Sequence, residues 1–279
     1  MWRRRVVPLL VVGSAGGAGV YFAASTESKT QVIFMSVGQG DCTVFASEGI
    51  AVLIDTGPAN REYDAGTRVV LPKLRDYGIT QVSMILLTHP DADHIGGTGA
   101  LLRAFPGAKV AINTSFRHDK GLLENFQKWG LKESEVHWMV GHEQLRSGRF
   151  AFDLWLPSKP SDAPTNDGSM FAYVVAGTTG MVLTGDAPEQ VEIEMHRSRN
   201  WEATIMKAGH HGSKSSTGEF WLQSVQPQTA IISCGRDNSY GHPAKSVLSR
   251  LEKFRVETLR TDQMGDIVFE LKGERLVRR

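Results

Sequence analysis

Cysteine is nearly absent from this sequence: Cys42 and Cys234 are the only two in 279 residues. Their positions exclude a cysteine zinc knuckle. Both lie in apolar, strand-like runs and read as buried small hydrophobes, with a disulfide left open should the domain lie outside the cytoplasm. Charge of one sign is lacking too, since 31 Lys and Arg face 30 Asp and Glu. Arg3, Arg4 and Arg5 sit in an acid-free start; removing these three from 31 leaves 28 cations against 30 acids, a net −2 for the remainder. A near-neutral body does not exclude a nucleic-acid ligand, but it removes bulk electrostatics as a reason for one. Solenoid-period repeats and low-complexity tracts are missing. Trp129, Trp138, Trp155, Trp201 and Trp221 are scattered and read as core, not as a base-stacking stripe. What remains, 41% hydrophobic and 22% charged with 29 Gly and 11 Pro, is the composition of a globular domain, not of a collagen-like, disordered or polytopic membrane chain.

The start of the chain stands apart. Val6 to Thr26 is a charge-free run of 21 residues behind three arginines, about the length that spans a bilayer, with the arginines expected on the cytoplasmic side. Five glycine and proline interruptions dilute it, at Pro8, Gly13, Gly16, Gly17 and Gly19. The pattern fits a membrane anchor over residues 1–26 or a cleaved signal peptide, and either route places the rest outside the cytoplasm. Residues 27–31 read as a tether and 32–279 as the folded domain.

From Val32 onward, strand-like and helix-like segments alternate. Val32–Val37, Cys42–Ala46 and Ile50–Ile54 are short β-rich runs broken by glycine. Arg68–Tyr77 has helical spacing, and Val82–Leu87 is a continuous apolar run of the kind buried on both faces. Helices are expected at Ala100–Phe105 and Lys120–Trp129, and strands at Lys109–Ile112, Phe150–Leu156, Met170–Ala176 and Met181–Leu183, the last two joined through Gly177–Gly180. Helices Pro188–Arg197, Thr217–Ser224 and Ala244–Phe254 then alternate with strands Ala203–Met206, Ala230–Cys234 and Glu257–Arg260, before a final strand Asp266–Leu271. Strand groups with helices in both halves predict an α/β fold of two sheets face to face with helices outside.

Chemistry-bearing residues gather where strands end. Val82–Leu87 runs into Thr88-His89-Pro90-Asp91-Ala92-Asp93-His94, four potential ligands within six residues. Carboxylates that close repel one another unless a cation neutralises them. Other apolar strands discharge Asp55-Thr56-Gly57, Gly185-Asp186, Gly209-His210-His211-Gly212-Ser213-Lys214 and Tyr240-Gly241-His242-Pro243 just past their ends. Each alone reads as a turn; together they read as one metal site on a shared sheet edge.

These strings resemble the metallo-β-lactamase superfamily, and more narrowly the extracellular hydrolase domain of the ComEC family of DNA-uptake channels. The resemblance rests on Val37-Gly38-Gln39-Gly40-Asp41, Leu53-Ile54-Asp55-Thr56-Gly57, Val70-Leu71-Pro72, Thr88 through Gly97, Asn166-Asp167-Gly168-Ser169, Leu183 through Asp186, Gly209 through Lys214 and Tyr240 through Pro243. It implies an αββα sandwich with a binuclear centre on one edge. His89 and Asp91 would serve one ion, Asp93 and His94 the other, Asp186 both, and one of His210 or His211 would complete the second site. Two departures stand out. Asp91 replaces the usual second histidine of the signature, and no Gly-His string lies where another ligand of the first ion is normal. His118, His137 and His142 lie in that interval but read as surface or core histidines, while Asn166–Ser169 resembles the branch's own replacement. An oxygen-rich first site favours Mn²⁺ or a mixed pair over two tight Zn²⁺ ions.

Two divalent ions held about 3.5–4 Å apart lower the pKa of water and neutralise the charge that develops on phosphorus oxygens. Asp93 then both ligates and orients the nucleophile. Lys207, Ser213 and Lys214 are candidates to hold phosphate oxygens, and His242 to protonate the leaving oxygen or ligate a metal. The expected function is an exported, metal-dependent nuclease or phosphodiesterase acting on DNA. The alternatives are an extracytoplasmic hydrolase of another phosphoester, a lactam or a lactone, and a noncatalytic DNA-binding accessory.

Overall fold

The structure, a computed structural model, describes residues 29–160 and 162–279. The expected anchor and the start of the tether lie outside them. Among the described residues, no helix is long and apolar enough to cross a membrane.

Strands β1 (Thr30–Phe34), β2 (Thr43–Ser47), β3 (Ile50–Ile54), β4 (Gln81–Leu87), β5 (Lys109–Asn113) and β6 (Val136–Met139) line up in chain order in one sheet. The second sheet takes β7 (His142–Ser147), β8 (Phe150–Trp155), β9 (Phe171–Ala176), β10 (Thr179–Leu183), β11 (Ile205–Lys207), β12 (Thr229–Ile232) and β13 (Glu257–Arg260). The chain then returns to the free side of β1 with β14 (Ile267–Lys272) and β15 (Arg275–Arg278). Each sheet is antiparallel at one end and parallel at the other: β3 to β6 and β10 to β13 are the parallel runs.

Alternation along the strands sorts three apolar layers. Val32, Phe34, Val52, Ile54 and Leu86 face Phe150, Phe152, Val174, Met181 and Leu183 between the sheets. Their neighbours Ile33, Leu53, Ile85 and Leu87 face outward onto Leu74, Leu101, Leu122 and Phe126 of helices Leu71–Asp76, Thr98–Ala104 and Lys120–Trp129. On the far side Val182, Met206 and Ile232 pack on Val191, Trp221, Leu222, Val247 and Leu251 of helices Glu189–Met195, Glu219–Val225 and Lys245–Lys253. The expected αββα sandwich is what forms. Cys42 and Cys234 are buried free thiols, as small hydrophobes in such layers.

Several boundaries differ from the sequence reading. β1 stops at Phe34 instead of Val37, because the Ser36 N–H turns away to Asp266 Oδ1 at 2.8 Å. The β9–β10 loop shortens to Gly177-Thr178, since Thr179 and Gly180 already pair with Ala176 and Val175. The helix expected over Arg68–Tyr77 begins as one wide turn at Gly66–Val70 and places Pro72 in the first turn of Leu71–Asp76, where its missing N–H costs nothing. Strands β6, β7 and β15 were not expected. They are edge or near-edge strands with alternating exposure, and without an apolar run they give little sequence signal.

Phe45 holds the sheets together edge-on against Phe150 and Phe152, with ring centroids 5.5 and 5.2 Å away. Phe45→Ala removes that contact and leaves a cavity, an expected loss of about 3–5 kcal/mol. Urea unfolding of the purified chain reads it directly.

Candidate metal centre

The parallel strands point their carboxyl ends at one edge, where an open α/β sheet places its ligands. β3 delivers Asp55, β4 delivers Thr88 and His89, and the single turn Ala92–Ile95 that follows carries Asp93 and His94. From the other sheet, β10 delivers Asp186 and β11 the turn Gly209–Gly212 with His210 and His211. The two edges touch: the Met170 N–H donates to the Thr88 carbonyl at 3.0 Å. Gly185, at φ +53°, lies so close that a Cβ there would sit 2.9 Å from Thr88 Cβ. Gly40 has the same duty on the other side, where a Cβ would meet the Asp93 carbonyl oxygen at 2.3 Å. The Asp41 N–H then donates to that same carbonyl at 3.1 Å.

Four imidazoles converge with one nitrogen already occupied. His94 Nδ1 donates to Asp55 Oδ2 at 2.7 Å. His89 Nδ1 lies 3.0 Å from Thr88 Oγ1, which itself donates to Asp55 Oδ2 at 2.8 Å. His211 Nδ1 donates to the Ser233 carbonyl at 3.0 Å, and His210 Nδ1 lies 3.3 Å from Ser215 Oγ. Anchored Nδ1 atoms fix the ring orientation and leave Nε2 as the free donor of electrons, the arrangement that metal-binding histidines use.

Three of those Nε2 atoms face Asp186. His94 Nε2 is 3.2 Å from Asp186 Oδ1, while His211 Nε2 and His210 Nε2 are 3.4 and 3.5 Å from Oδ2. His211 Nε2 also lies 3.2 Å from Asp93 Oδ2, and His89 Nε2 lies 3.7 Å from Asp91 Oδ2. His89 Nε2, His94 Nε2 and Asp186 Oδ1 are buried and make no hydrogen bond. Orphaned polar atoms in a dry cluster cost free energy unless something binds them. A divalent cation fits these orphans, with nitrogen and carboxylate donors of the right kind on every side. The structure thus brings together His89, Asp91, Asp93, His94, Asp186, His210 and His211. Between the two histidines left open, His211 is fully buried and faces both Asp93 and Asp186, whereas His210 faces Asp186 alone and is partly exposed.

Asp41 is the residue the sequence reading passed over. It lies in a buried ligand-like group with His94, Asp186 and His211, donor atoms all within 4.8 Å. Its carboxylate, however, faces the Nδ1 atoms of His94 and His211, at 3.8 and 3.4 Å, and the buried ammonium of Lys207. That is the side away from Nε2, so Asp41 is a charge partner behind the histidines. The signal was the Gly-Gln-Gly-Asp string itself, whose second glycine exists to let Asp41 approach.

Lys207 corrects an expectation. Its ammonium is buried against Asp41, pointing into the fold, so it does not reach a substrate phosphate. Ser213 is likewise turned inward, its Oγ 3.0 Å from Ser215 Oγ. Lys214, between them, is exposed. His242 lies at the rim, its ring 5.7 Å from that of His210, with Nδ1 3.4 Å from Gln39 Nε2. The turn Thr165–Gly168 meets the cluster: Thr165 Oγ1 donates to Asp91 Oδ1 at 2.8 Å, and Ser169 Oγ accepts the Asp186 N–H at 3.3 Å. His137 and His142 instead pair with Glu143 and Asp153 at the surface, and His118 is exposed.

The His210–His211 turn is strained, with both residues at positive φ of 49° and 54°. Such backbone costs about 1–3 kcal/mol per residue and persists only where its surroundings hold it. Glu192 supplies the hold. Its buried carboxylate accepts the Thr217 and Gly218 N–H groups at 2.8 and 2.9 Å, and Thr217 Oγ1 accepts the Gly209 N–H at 3.0 Å. Burial pushes the Glu192 carboxyl up to about 7, against those same hydrogen bonds.

Electrostatics follow from burial. Desolvation alone would raise Asp186 and lower His94 and His211. The mutual attraction wins, holding Asp186 well below the carboxylate range and His94 well above the imidazole range. His211 is pushed up to about 10 by Asp186 and Asp41. In the metal-free chain both rings are therefore protonated at pH 7, and a cation must displace those protons. Titration calorimetry of Zn²⁺ or Mn²⁺ into metal-free protein, in buffers of different ionisation enthalpy, should show about two protons released at pH 7, with affinity rising as pH rises. Metal-free stability runs the other way: the His211 contribution is complete below about 6.5, its unfolded value, and is lost as pH rises through about 10. Thermal melts across that window check the sign.

Comparison with known proteins agrees with this geometry. The family model described as metallo-beta-lactamase superfamily matches residues 35–236. ComE operon protein 3 of Bacillus subtilis is 33% identical over 271 residues, covering 91% of this chain and 34% of that protein. Recombination protein 2 of Haemophilus influenzae is 32% identical over 255 residues, covering 91% of this chain and 30% of that protein. Competence protein ComA of Neisseria gonorrhoeae is 28% identical over 233 residues, 81% of this chain and 31% of that protein. The chain thus spans about a third of the length of these relatives. Among solved structures, the metallo-beta-lactamase fold protein YhfI of Bacillus subtilis superposes with a TM-score of 0.57 at 15% identity, over 87% of this chain and all of that one. With the family model matched over most of its length and the sandwich and its ligand-bearing edge in place, this chain belongs to the metallo-β-lactamase superfamily.

Proposed function

We propose that this chain is an exported, binuclear metal-dependent phosphodiesterase that cleaves DNA. The observation that carries the metal-dependent part is the convergence of the Nε2 atoms of His94, His210 and His211 on the buried carboxylate of Asp186. The likeness to ComE operon protein 3 and to the competence protein supports DNA as substrate.

His89, Asp91 and Asp186 would hold one ion, and Asp93, His94, Asp186 and His211 the other. When bound, divalent ions lower the pKa of water and neutralise charge accumulating on phosphorus oxygens. The protein's own groups do the rest. Asp93, half-exposed and hydrogen-bonded to His211, is placed to orient the attacking nucleophile. Lys214 offers an exposed cation to a nonbridging phosphate oxygen. His242 is kept below its ordinary value by burial and by its neighbours His211 and His210; at the rim of the cluster it would serve, once protonated, as the acid for the leaving oxygen. Asp91 in place of a histidine makes the more exposed half oxygen-rich, which favours Mn²⁺ there.

The full chain, stripped of metal and reloaded with Mn²⁺, Zn²⁺ or Mg²⁺, should cut single- or double-stranded DNA. Removing an outer-shell partner of a metal ligand costs about 10–100-fold, so Asp93→Ala and His94→Ala, which remove ligands, should cost more, with His118→Ala at the wild-type rate. Cleavage of a small phosphodiester but not of DNA would turn the assignment to another envelope ester. Export has its own test: a reporter fused after Arg279 should be active outside the cytoplasm, and a cytoplasmic chain with an intact leader would end that part of the reading.

A further inference from the structure

Tyr240 is the most exposed of the large apolar or aromatic side chains among the described residues, with 70% of its surface open to solvent. It is not loose on the surface. Its ring lies 5.8 Å from that of His242 at an interplanar angle of 26°. His242 in turn lies 6.5 Å from His211 at 32°, and His211 lies 5.1 Å from His94 at 38°. A succession of four neighbouring rings therefore leads from the buried His94 and His211 out to a bare aromatic face.

The turn that presents this ring is braced. The Asn238 side chain accepts the His242 N–H at 3.0 Å and donates to the Gly235 and His242 carbonyls at 2.9 and 2.6 Å. Gln39, from the first sheet, accepts the Gly235 N–H at 3.1 Å and reaches His242 Nδ1. The turn is thus held from both sheets and presents the exposed Tyr240 ring beside His242, where it can meet a flat partner. Lys214 follows Ser213 and precedes Ser215, which touches His210. An exposed ring beside His242 and an exposed ammonium just past the turn that carries His210 suit a flexible polyanion that carries planar groups.

We propose that Tyr240 is a base-stacking subsite that receives an unpaired nucleobase next to the phosphate held at the metal cluster. This rests on the DNA-cleaving reading and adds to it that the strand is engaged single-stranded, since a base still paired and stacked in a duplex has no free face to offer. Stacking on an aromatic ring tolerates any base, so the subsite confers strand recognition without sequence preference.

The test compares a single-stranded oligothymidylate with an abasic deoxyribose-phosphate strand of equal length, using the full chain loaded with Mn²⁺. The wild type should have a KM on the order of tenfold or more lower for the strand that carries bases. In Tyr240→Ala that ratio should fall to about one, and in Tyr240→Phe, which keeps the ring, it should persist. Tyr240 is exposed, so neither variant threatens the fold. A ratio unchanged in Tyr240→Ala, or one lost equally in Tyr240→Phe, overturns the subsite while leaving the nuclease intact. If the wild type cuts no strand with any metal, the nuclease reading fails. Anisotropy of a labelled oligothymidylate then decides the subsite separately: weaker binding by Tyr240→Ala than by wild type and Tyr240→Phe upholds it, and equal binding or none overturns it.

Discussion

Buried negative charge is the constraint around which this molecule is organised. Asp41, Asp55 and Asp186 are each no more than 3% exposed and lie within one sheet edge. Among the described residues, Lys207 is the one buried lysine or arginine. Unit charges 4 Å apart interact by about 4 kcal/mol even at an effective dielectric of 20, so three clustered carboxylates with one ammonium do not fold into a dry site unaided. Two remedies are built in. Without metal, the protonated rings of His94 and His211 supply the missing positive charge; with metal, cations take their place. The same histidines thus offer either protons or a cation to these carboxylates, with the proton as competitor. Lys207 decides the role of Asp41: already paired, Asp41 has less to give a cation than Asp186, whose ion pairs are with His94, His210 and His211.

The αββα layers were legible because the parallel strands are buried on both faces and write themselves as unbroken apolar runs, as at Val82–Leu87. The site's ligands were legible for a related reason. A candidate ligand at the carboxyl end of such a strand follows an apolar run directly, so His89, Asp186 and the His210–His211 pair announce themselves by position, though position does not choose between the two histidines. Strands β6, β7 and β15 did not, since an edge strand half in water carries no such run. Lys207 misled for a subtler reason. Its place beside His210 and His211 suggested substrate contact, but it is the last residue of a buried strand, so its side chain is committed to the interior before the active edge begins. Only the three-dimensional approach of Asp41, from a loop 166 positions earlier in sequence, explains how the ammonium can be buried.

Tyr240 was hidden by its isolation. The sequence offers no stripe of aromatics, and a lone tyrosine in an Asn-Ser-Tyr-Gly-His-Pro turn reads as an ordinary loop residue. Its significance is set by the imidazole two positions on, and by how Asn238 and Gln39 fix both. A loop that is irregular in sequence is here as tightly specified as a strand, through side-chain hydrogen bonds in place of a ladder.

The strained pair His210–His211 shows where the stability of the layers is spent. Two consecutive non-glycine residues in left-handed backbone would relax into an ordinary turn if the chain were free to do so. They do not, because the carboxylate of Glu192 fastens Thr217 and Gly218 from behind and Arg250 reaches the Ser216 carbonyl at 3.2 Å. Glu192 lies on one helix and Arg250 on another, and both helices are seated by the apolar layer that contains Val191, Trp221 and Leu251. Packing on the outer face of the second sheet therefore reaches the metal cluster through a charged clamp. The physical consequence is that a lesion in that outer layer, far from any ligand, should loosen His211 before it unfolds the sandwich. The precision of the site belongs to the whole second half of the chain and not to the edge alone.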